Sequence, residues 1–201
     1  MSRGLLIVVS GPAGSGKGTV NSQLVATGDF VFSVSATTRA PRPGEVNGVN
    51  YHFIDREEFQ RRIDDNGFLE YTTYCDNFYG TPLKEALAVL DSGKNLILEI
   101  ECDGAKNVKR IFPDAVLIML IPPTFSIQEE RLRGRATETE EVIRARLEKS
   151  KVEMGCFEHY DYVVINQDEG AKKAALDIIN ITKSEKKRTS RRLEVKEHFY
   201  E

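Results

Sequence analysis

The sequence has little of what marks a membrane, secreted or nucleic-acid-binding protein. Its 201 residues carry 28 Lys and Arg against 31 Asp and Glu, so no strong basic field favours nucleic acid as a partner. No apolar run approaches the roughly 18 residues that a membrane-spanning helix requires. The short apolar run near the N-terminus, LLIVVS, lacks the length of a signal peptide and leads directly into a glycine-rich loop.

Cysteine is scarce as well. The three cysteines, Cys75, Cys102 and Cys156, are scattered along the chain, and their spacing matches no metal-binding motif. We expect all three to be free thiols in a reducing compartment. This pattern predicts a cytoplasmic protein that has no membrane partner.

Short hydrophobic runs alternate with helical patterns along most of the chain. Five runs predict buried strands, namely LLIVVS, FVFSVS, LILEIE, AVLIMLIPP and DYVVIN. Apolar residues recur at helical spacing in the segments 83–90, 105–111, 126–132, 140–154 and 171–181. Such alternation predicts an α/β fold of three layers, with a parallel sheet covered by helices on both faces. Ligands of such sheets bind at the carboxyl ends of the strands.

Three segments depart from this alternation. Residues 36–82 are dense in Pro, Gly and aromatics, which predicts a small mixed β insertion in a core formed by residues 1–35 and 83–182. Within that core, the highly charged stretch at about 126–150 is predicted to be a mobile lid. The charged tail, residues 183–201, is expected to be a solvated and frayed end.

The stretch GPAGSGKGT follows the first predicted strand and opens a helix. A strand, G-x-x-x-x-G-K and a helix are typical of a phosphate-binding loop, because its backbone N–H groups and the helix N-terminus can surround phosphate oxygens. Lys17 adds a full positive charge for the outer phosphates. The loop is therefore predicted to hold a nucleotide triphosphate through Gly11, Pro12, Ala13, Gly14, Ser15, Gly16, Lys17, Gly18 and Thr19.

Gly18 stands where many phosphate loops have a Ser or Thr that contacts Mg²⁺. Two arrangements remain open: the metal is held through phosphates and water, or Thr19 takes over as its ligand. The first arrangement costs little, because Mg²⁺ readily keeps several waters. No other direct protein ligand for a metal is expected.

The predicted insertion carries side chains suited to a second anion. Arg39 and Arg42, three residues apart with Tyr51 nearby, suit a phosphate. A carboxylate beside two arginines would oppose phosphate binding, so Glu70 is expected to face another part of the ligand. Guanine presents two adjacent donors, N1–H and N2–H₂, which match a carboxylate, whereas adenine lacks that edge. Such a mismatch can change specificity on the order of 10⁴-fold.

The stretches SGPAGSGKGT, SVSATTRAPRPGEVNGVNYHF, NFYGTP and RGRATETEEVIRARL together resemble the guanylate kinase family, from about Leu5 to Ile181. The resemblance implies a P-loop nucleotide kinase core with a GMP-binding insertion and a lid. It implies transfer of the γ-phosphate of ATP to GMP, and dGMP is expected as an acceptor too. The GMP phosphate would be held by Arg39, Arg42, Tyr51 and Tyr79, and the guanine by Ser35, Glu70, Thr81 and Glu101.

The resemblance also implies residues for the phosphoryl transfer. The expected catalytic residues are Lys17, Arg39, Arg131, Arg135 and Arg146, with Mg²⁺ accompanying ATP. Salt bridges to nearby lid glutamates such as Glu140 are the alternative role for the lid arginines. Asn166 is expected either to touch the adenine or to form a turn.

Some features leave alternatives open. A guanylate-kinase-like interaction module would lack a working phosphate loop, and a kinase for another monophosphate, such as AMP, would not use Glu70 for guanine. Glu99 and Glu101 replace aspartates of the usual family pattern, and Ala136 replaces a lid glycine. ATP and GMP are the expected partners, and the chain is expected to be a monomer or a homodimer.

Overall fold

The computed structural model describes residues 3–74, 76–134, 139–168 and 170–199. The chain divides into two compact units. One consists of Met1–Ser10 and Gly28–Leu117, and the other of Gly11–Thr27 and Ile118–Glu201. The boundaries of these two units differ from the predicted boundaries of core, insertion and tail. The division into core, insertion and tail therefore remains a prediction.

In the first unit, three strands run parallel to one another. Strand β7 (Asn95–Leu98) lies between β1 (Leu6–Ser10) and β2 (Phe30–Phe32). Every residue of β1 is buried, as the continuous apolar run predicted. Helix α3 (Leu83–Asp91) contacts β7, and α4 (Cys102–Ile111) contacts β1.

The same unit contains a small mixed sheet, and its strand order is β4-β3-β6-β5. The strands are β3 (Ala36–Thr37), β4 (His52–Phe53), β5 (Phe68–Tyr74) and β6 (Asn77–Pro82). β5 and β6 are antiparallel, whereas β3 and β4 are parallel. Helix α2 (Arg56–Asp64) packs here through Phe59, whose ring stacks on Phe68 with a centroid distance of 4.4 Å. This sheet confirms the prediction of a small mixed β segment.

In the second unit, two parallel strands accompany the phosphate-loop segment. They are β8 (Val116–Ile121), whose last four residues belong to this unit, and β9 (Tyr162–Ile165). The helices of this unit are α1 (Lys17–Val25), α5 (Phe125–Gly134), α6 (Glu140–Met154), α7 (Ala171–Glu185) and α8 (Leu193–His198). Helix α1 contacts α7, and α5 contacts α6. All five predicted core strands are thus present in the described part of the chain.

The charged tail is not simply a frayed end. Helix α7 continues to Glu185, which is only 3% exposed. The Glu185 carboxylate accepts hydrogen bonds from the Tyr162 hydroxyl at 2.5 Å, from Arg188 at 3.3 Å and from Arg191 at 3.2 Å. The expectation of a frayed end is therefore wrong for residues 185–191, because a buried carboxylate holds them, whereas Leu193, Val195 and Phe199 are exposed.

Two further predictions concern cysteines and membranes. Cys102 and Cys156 are each disulfide-bonded, so the expectation of free thiols is wrong for these two. Cys75 lies outside the described residues. Over the described ranges, no helix combines the length and the apolar character needed to cross a membrane.

Candidate active site

The glycine-rich loop follows β1 and ends at the first turn of α1, with Gly16 as the residue that caps the helix. Gly14 and Gly16 have φ angles of +81° and +86°, which L-residues with a Cβ rarely adopt. A Cβ on Gly16 would also lie 2.4 Å from the Asn166 side-chain nitrogen. Because Gly16 offers no side-chain acceptor, the N–H groups of this helix end can serve an anion.

Lys17 reaches back across the loop. Its Nζ donates to the Gly11 carbonyl oxygen at 2.5 Å and to that of Pro12 at 3.1 Å. The charge therefore lies over the loop, where the outer phosphates of a nucleotide would bind. Next to it, nothing lies within 4 Å of the position that a Cβ on Gly18 would take, and Thr19 is exposed.

Two buried side-chain amides donate hydrogen bonds to carbonyl oxygens of this loop. The Asn166 amide nitrogen donates to the Ser15 carbonyl oxygen at 2.8 Å, and that of Gln128 donates to the Ala13 carbonyl oxygen at 2.8 Å. Asn166 thus holds the loop itself, and its predicted contact with adenine stays a prediction. Gln128 was not predicted as a site residue, because no motif marks a glutamine 115 residues away from its partner.

Arg131 lies beside the loop-supporting residues. Its Nη2 donates to the Asn166 carbonyl oxygen and to the Asp168 carboxylate, both at 2.9 Å. Its Nη1 is buried and has no hydrogen-bond partner among the described residues. An unsatisfied guanidinium nitrogen next to a phosphate loop can donate to a bound phosphate.

The predicted lid contains other arginines besides Arg131, with glutamates near them in the chain. Arg146 is exposed on α6, and Arg135 and Ala136 lie outside the described residues. The alternative partner Glu140 instead pairs with Arg133 at 2.8 Å and with Arg144 at 3.5 Å. Glu140 thus pairs with two arginines that were not predicted to be catalytic.

The predicted phosphate-binding side chains of the first unit come together around Arg39. The guanidinium carbon lies 5.4 Å from the centre of the Tyr51 ring, whose centre is 6.0 Å from that of Tyr79. Burial raises the pKa of the Tyr51 hydroxyl, and that hydroxyl therefore stays protonated as a donor. Arg42 is exposed, and its backbone N–H donates to Glu45 at 2.7 Å.

Glu45 is a member of this cluster that the sequence analysis missed. Its carboxylate accepts two hydrogen bonds from the Arg39 guanidinium, at 2.9 and 3.0 Å. These bonds hold the pKa of Glu45 below its usual value. The pair occupies the Nη1–Nη2 edge of Arg39, and the Tyr79 side chain is hydrogen-bonded to the same guanidinium.

Three of the four predicted guanine-reading residues, Ser35, Glu70 and Thr81, come together at the mixed sheet. Glu70 pairs with Thr81 across β5 and β6, and the pairing of Ala36 with Gly80 brings the preceding Ser35 next to Thr81. The Thr81 hydroxyl donates to Glu70 Oε1 at 2.8 Å. Glu101 is exposed and caps α4. β7 ends at Leu98, so the predicted strand LILEIE is shorter than expected and Glu101 follows it.

The second oxygen of Glu70 is left for a ligand. Glu70 is 4% exposed, and its Oε2 has no hydrogen-bond partner in the described part of the chain. Gly104 lies over it, since a Cβ there would come within 3.6 Å of Oε2. Burial raises the pKa of Glu70, while the Thr81 hydrogen bond acts in the opposite direction. A buried carboxylate oxygen without a donor suits a ligand that brings its own N–H groups.

Known proteins are similar to this chain over most of its length. The family model described as guanylate kinase matches residues 3–181. A guanylate kinase of Clostridioides difficile (strain 630) is 45% identical over 192 residues, which cover 95% of this chain and 93% of the relative. One of Halalkalibacterium halodurans is 51% identical over 167 residues, which cover 83% of this chain and 82% of the relative.

A solved structure agrees with these sequence matches. The crystal structure of guanylate kinase from Anaplasma phagocytophilum has a TM-score of 0.78 at 34% identity, and the match covers 98% of this chain and 94% of that one. The likeness confirms the predicted α/β fold with a parallel-sheet P-loop kinase core. The chain therefore belongs to the guanylate kinase family, whose enzymes transfer a phosphoryl group from ATP to GMP.

Proposed function

We propose that this chain transfers the γ-phosphate of ATP to GMP in the cytoplasm, giving ADP and GDP, and that it accepts dGMP as well. The observation that carries the proposal is the Glu70–Thr81 pair. One oxygen of the Glu70 carboxylate is satisfied by Thr81, and the other is buried without a donor. Guanine supplies the donors that this oxygen lacks, and adenine does not.

The donor nucleotide is bound by the phosphate loop in this proposal. The N–H groups at the start of α1 and the Lys17 ammonium neutralise the ATP phosphates. Arg131 adds its buried Nη1, while its Nη2 stays held by Asn166 and Asp168. A guanidinium fixed through one nitrogen loses little side-chain entropy when the other nitrogen binds a phosphate.

The acceptor phosphate is bound by the cluster around Arg39. Arg39 and Arg42 supply two positive charges, and the Tyr51 and Tyr79 hydroxyls donate hydrogen bonds to the phosphate in this proposal. No general base is needed, because the GMP phosphate that attacks is already an anion. Positioning and charge neutralisation therefore supply the catalysis.

The lid arginines complete the charge around the transferred group in this proposal. Arg135 and Arg146 are proposed to reach the γ-phosphoryl group when the lid, at about 126–150, closes. An arginine that stabilises this transition state is worth about 10³–10⁵ in rate. Closure also excludes water, which would otherwise accept the phosphoryl group and waste ATP.

Mg²⁺ fits this arrangement as a companion of ATP. The described residues contain no cluster of His, Cys, Asp or Glu that could hold a metal ion by itself. The space above Gly18 and the exposed Thr19 leave room for a hydrated ion next to the phosphates. When bound, Mg²⁺ would neutralise phosphate charge, and Thr19 would supply a hydroxyl ligand in this proposal.

Product analysis tests the proposal. Purified protein is incubated with ATP, GMP and Mg²⁺, and the nucleotides are separated and quantified. We expect ADP and GDP to appear in equal amounts, and a Lys17→Met variant to lose most of the rate. ADP without GDP would mean ATP hydrolysis, and no ADP from a folded protein would mean an interaction module. Either result would reject the proposed function.

A further inference from the structure

A buried glutamine connects the phosphate loop to two helices. Gln128 lies on α5 and is 3% exposed. Its amide nitrogen donates to the Ala13 carbonyl oxygen at 2.8 Å and to the Ser150 hydroxyl of α6 at 2.5 Å. Both amide protons are therefore used, one on the loop and one on the second helix.

The bond to Ala13 controls the direction of an N–H group in the loop. In a trans peptide the C=O and the following N–H point in opposite directions. Holding the Ala13 carbonyl against Gln128 therefore turns the Gly14 N–H away from Gln128, toward the open side of the loop. Asn166 does the same one step further, because its bond to the Ser15 carbonyl turns the Gly16 N–H outward.

Close packing fixes this arrangement. A Cβ on Gly14 would lie 3.2 Å from the backbone carbonyl oxygen of Gln128 and 3.3 Å from the Cγ of the Gln128 side chain. Ala13 packs against the apolar cluster of Leu132, Ile143 and Leu147, which joins α5 to α6. The loop therefore lies close against α5, and the Gln128 amide holds its Ala13 carbonyl there.

The second bond of the amide extends to the helix that carries Arg146. The Ser150 hydroxyl accepts from Gln128 and donates to the Arg146 carbonyl oxygen at 2.8 Å. One chain of hydrogen bonds thus runs from Ala13 of the loop to the backbone of Arg146. Ser150 is 2% exposed, so water does not compete for these bonds.

We propose that Gln128 is a positioning residue for triphosphate binding: its amide holds the Ala13 carbonyl so that the Gly14 N–H faces the phosphates. This inference rests on the proposed function, in which the loop binds ATP. A glutamine that only filled the core would affect stability alone. A positioning residue affects the binding of the donor nucleotide and leaves the binding of the acceptor unchanged.

The test compares Gln128→Met with the wild-type chain. Met has nearly the same shape but no N–H donor, so the Ala13 carbonyl loses its partner. We expect KM for ATP to rise about tenfold, because the loop that binds ATP loses its support. KM for GMP should change by less than about twofold, because the variant leaves the GMP site untouched. Gln60→Met on α2, where the glutamine is exposed, is the matched control and leaves both constants unchanged.

A second variant and a binding measurement keep the test decisive. Gln128→Leu removes the same donors with another shape, and it serves if the Met variant does not fold. Calorimetric titration with inorganic tripolyphosphate measures loop binding without any reaction, and we expect the same loss of affinity. Ser150→Ala leaves the bond to Ala13 intact and should keep KM for ATP within about twofold of wild type.

The outcomes separate the two proposals. A wild-type chain that binds tripolyphosphate but makes no GDP contradicts the proposed function, and the titration still tests Gln128. A Gln128→Met chain with a lowered Tm and an unchanged KM for ATP overturns the positioning role. Equal rises in KM for ATP and for GMP overturn it as well.

Discussion

Arg39 and Glu45 form a two-pronged ion pair at the predicted acceptor site, with nitrogen–oxygen distances of 2.9 and 3.0 Å. Each side chain is less than one-fifth exposed, at 16% and 18%. The same Glu45 carboxylate accepts the backbone N–H of Arg42 at 2.7 Å. Glu45 therefore fixes the orientation of Arg39 and the backbone that carries Arg42.

Replacing Glu45 should weaken acceptor binding. Glu45→Gln keeps the size of the side chain but offers a single acceptor oxygen, so Arg39 is no longer held along one edge. We expect KM for GMP to rise about 3- to 10-fold while kcat stays within about twofold, measured by steady-state kinetics. Glu58→Gln, which disturbs a comparable pair with Arg61 on α2, is the control and should change neither constant. A lower KM for GMP would instead mean that Glu45 competes with the phosphate for Arg39.

Glu70 should lower stability in exchange for recognition. Burial raises its pKa in the folded chain, so at neutral pH folding keeps a poorly solvated carboxylate. Glu70→Gln removes that charge, and we expect Tm at pH 7 to rise by about 2–4 °C, the shift for about 1 kcal/mol in a chain of this size. Differential scanning calorimetry without nucleotide measures it.

The pH dependence of this gain follows from the sign of the shift. The gain is complete above the raised folded-state pKa. It disappears as the pH falls from that value to the ordinary range of a glutamate, where the wild-type carboxyl is protonated in both states. A gain of equal size at acid and neutral pH would show that the charge of Glu70 is not its cause.

Arg131 should matter for catalysis through its buried nitrogen. Arg131→Met removes the Nη1 donor that has no partner among the described residues. We expect kcat to fall about 10²–10³-fold, the usual effect of losing one positioned donor to a developing charge. Asp168→Asn weakens the ion pair at Nη2 but leaves Nη1 in place, so it should keep kcat within about threefold of wild type. Equal losses in both variants would contradict the role given to Nη1.

The buried carboxylate that holds the tail should contribute to stability alone. Burial by itself would raise the pKa of Glu185, but hydrogen bonds from Tyr162, Arg188 and Arg191 bring it below its usual value. Glu185→Gln should lower Tm by about 4–8 °C at pH 7, because hydrogen bonds to a charged group contribute about 1.5–3 kcal/mol. Both KM values should stay unchanged.

The lowered pKa sets the pH range of that contribution. It is fully present above the pKa of an ordinary glutamate and disappears as the pH falls through the lower folded-state pKa. The Tm difference between Glu185→Gln and wild type should therefore be largest near neutral pH and vanish in acid. Glu194→Gln, which disturbs an exposed pair with Arg192, should leave Tm unchanged.

Local signals in the sequence predicted most of the fold. Continuous apolar runs such as LLIVVS indicate a buried strand whatever surrounds them, and β1 is buried at every position. The phosphate loop was predictable because its glycines, its lysine and its neighbours are consecutive in the chain. Arg42 and Tyr51 were predictable as neighbours of Arg39 because one short segment contains all three, whereas their neighbour Glu45 was not predicted.

Other features could not be predicted, because they depend on contacts between distant residues. Gln128 and Ala13 are 115 positions apart, and nothing near Gln128 in the sequence indicates that its amide meets a loop carbonyl. Glu185 is a charged residue in a charged tail, and only folding against Tyr162 buries it. The end of β7 at Leu98 is likewise not marked by the apolar pattern LILEIE, and the partner strand β1 continues beyond the paired Val8.

The central claim is that Glu70 selects guanine as the base of the acceptor. The measurement that tests it most directly is the ratio of kcat/KM for GMP to that for AMP, in the wild-type chain and in Glu70→Gln. We expect a wild-type ratio on the order of 10⁴, because adenine leaves the buried carboxylate unpaired, and a fall to about 10² or less in the variant. A wild-type preference for AMP, or a ratio that Glu70→Gln leaves unchanged, would contradict the claim.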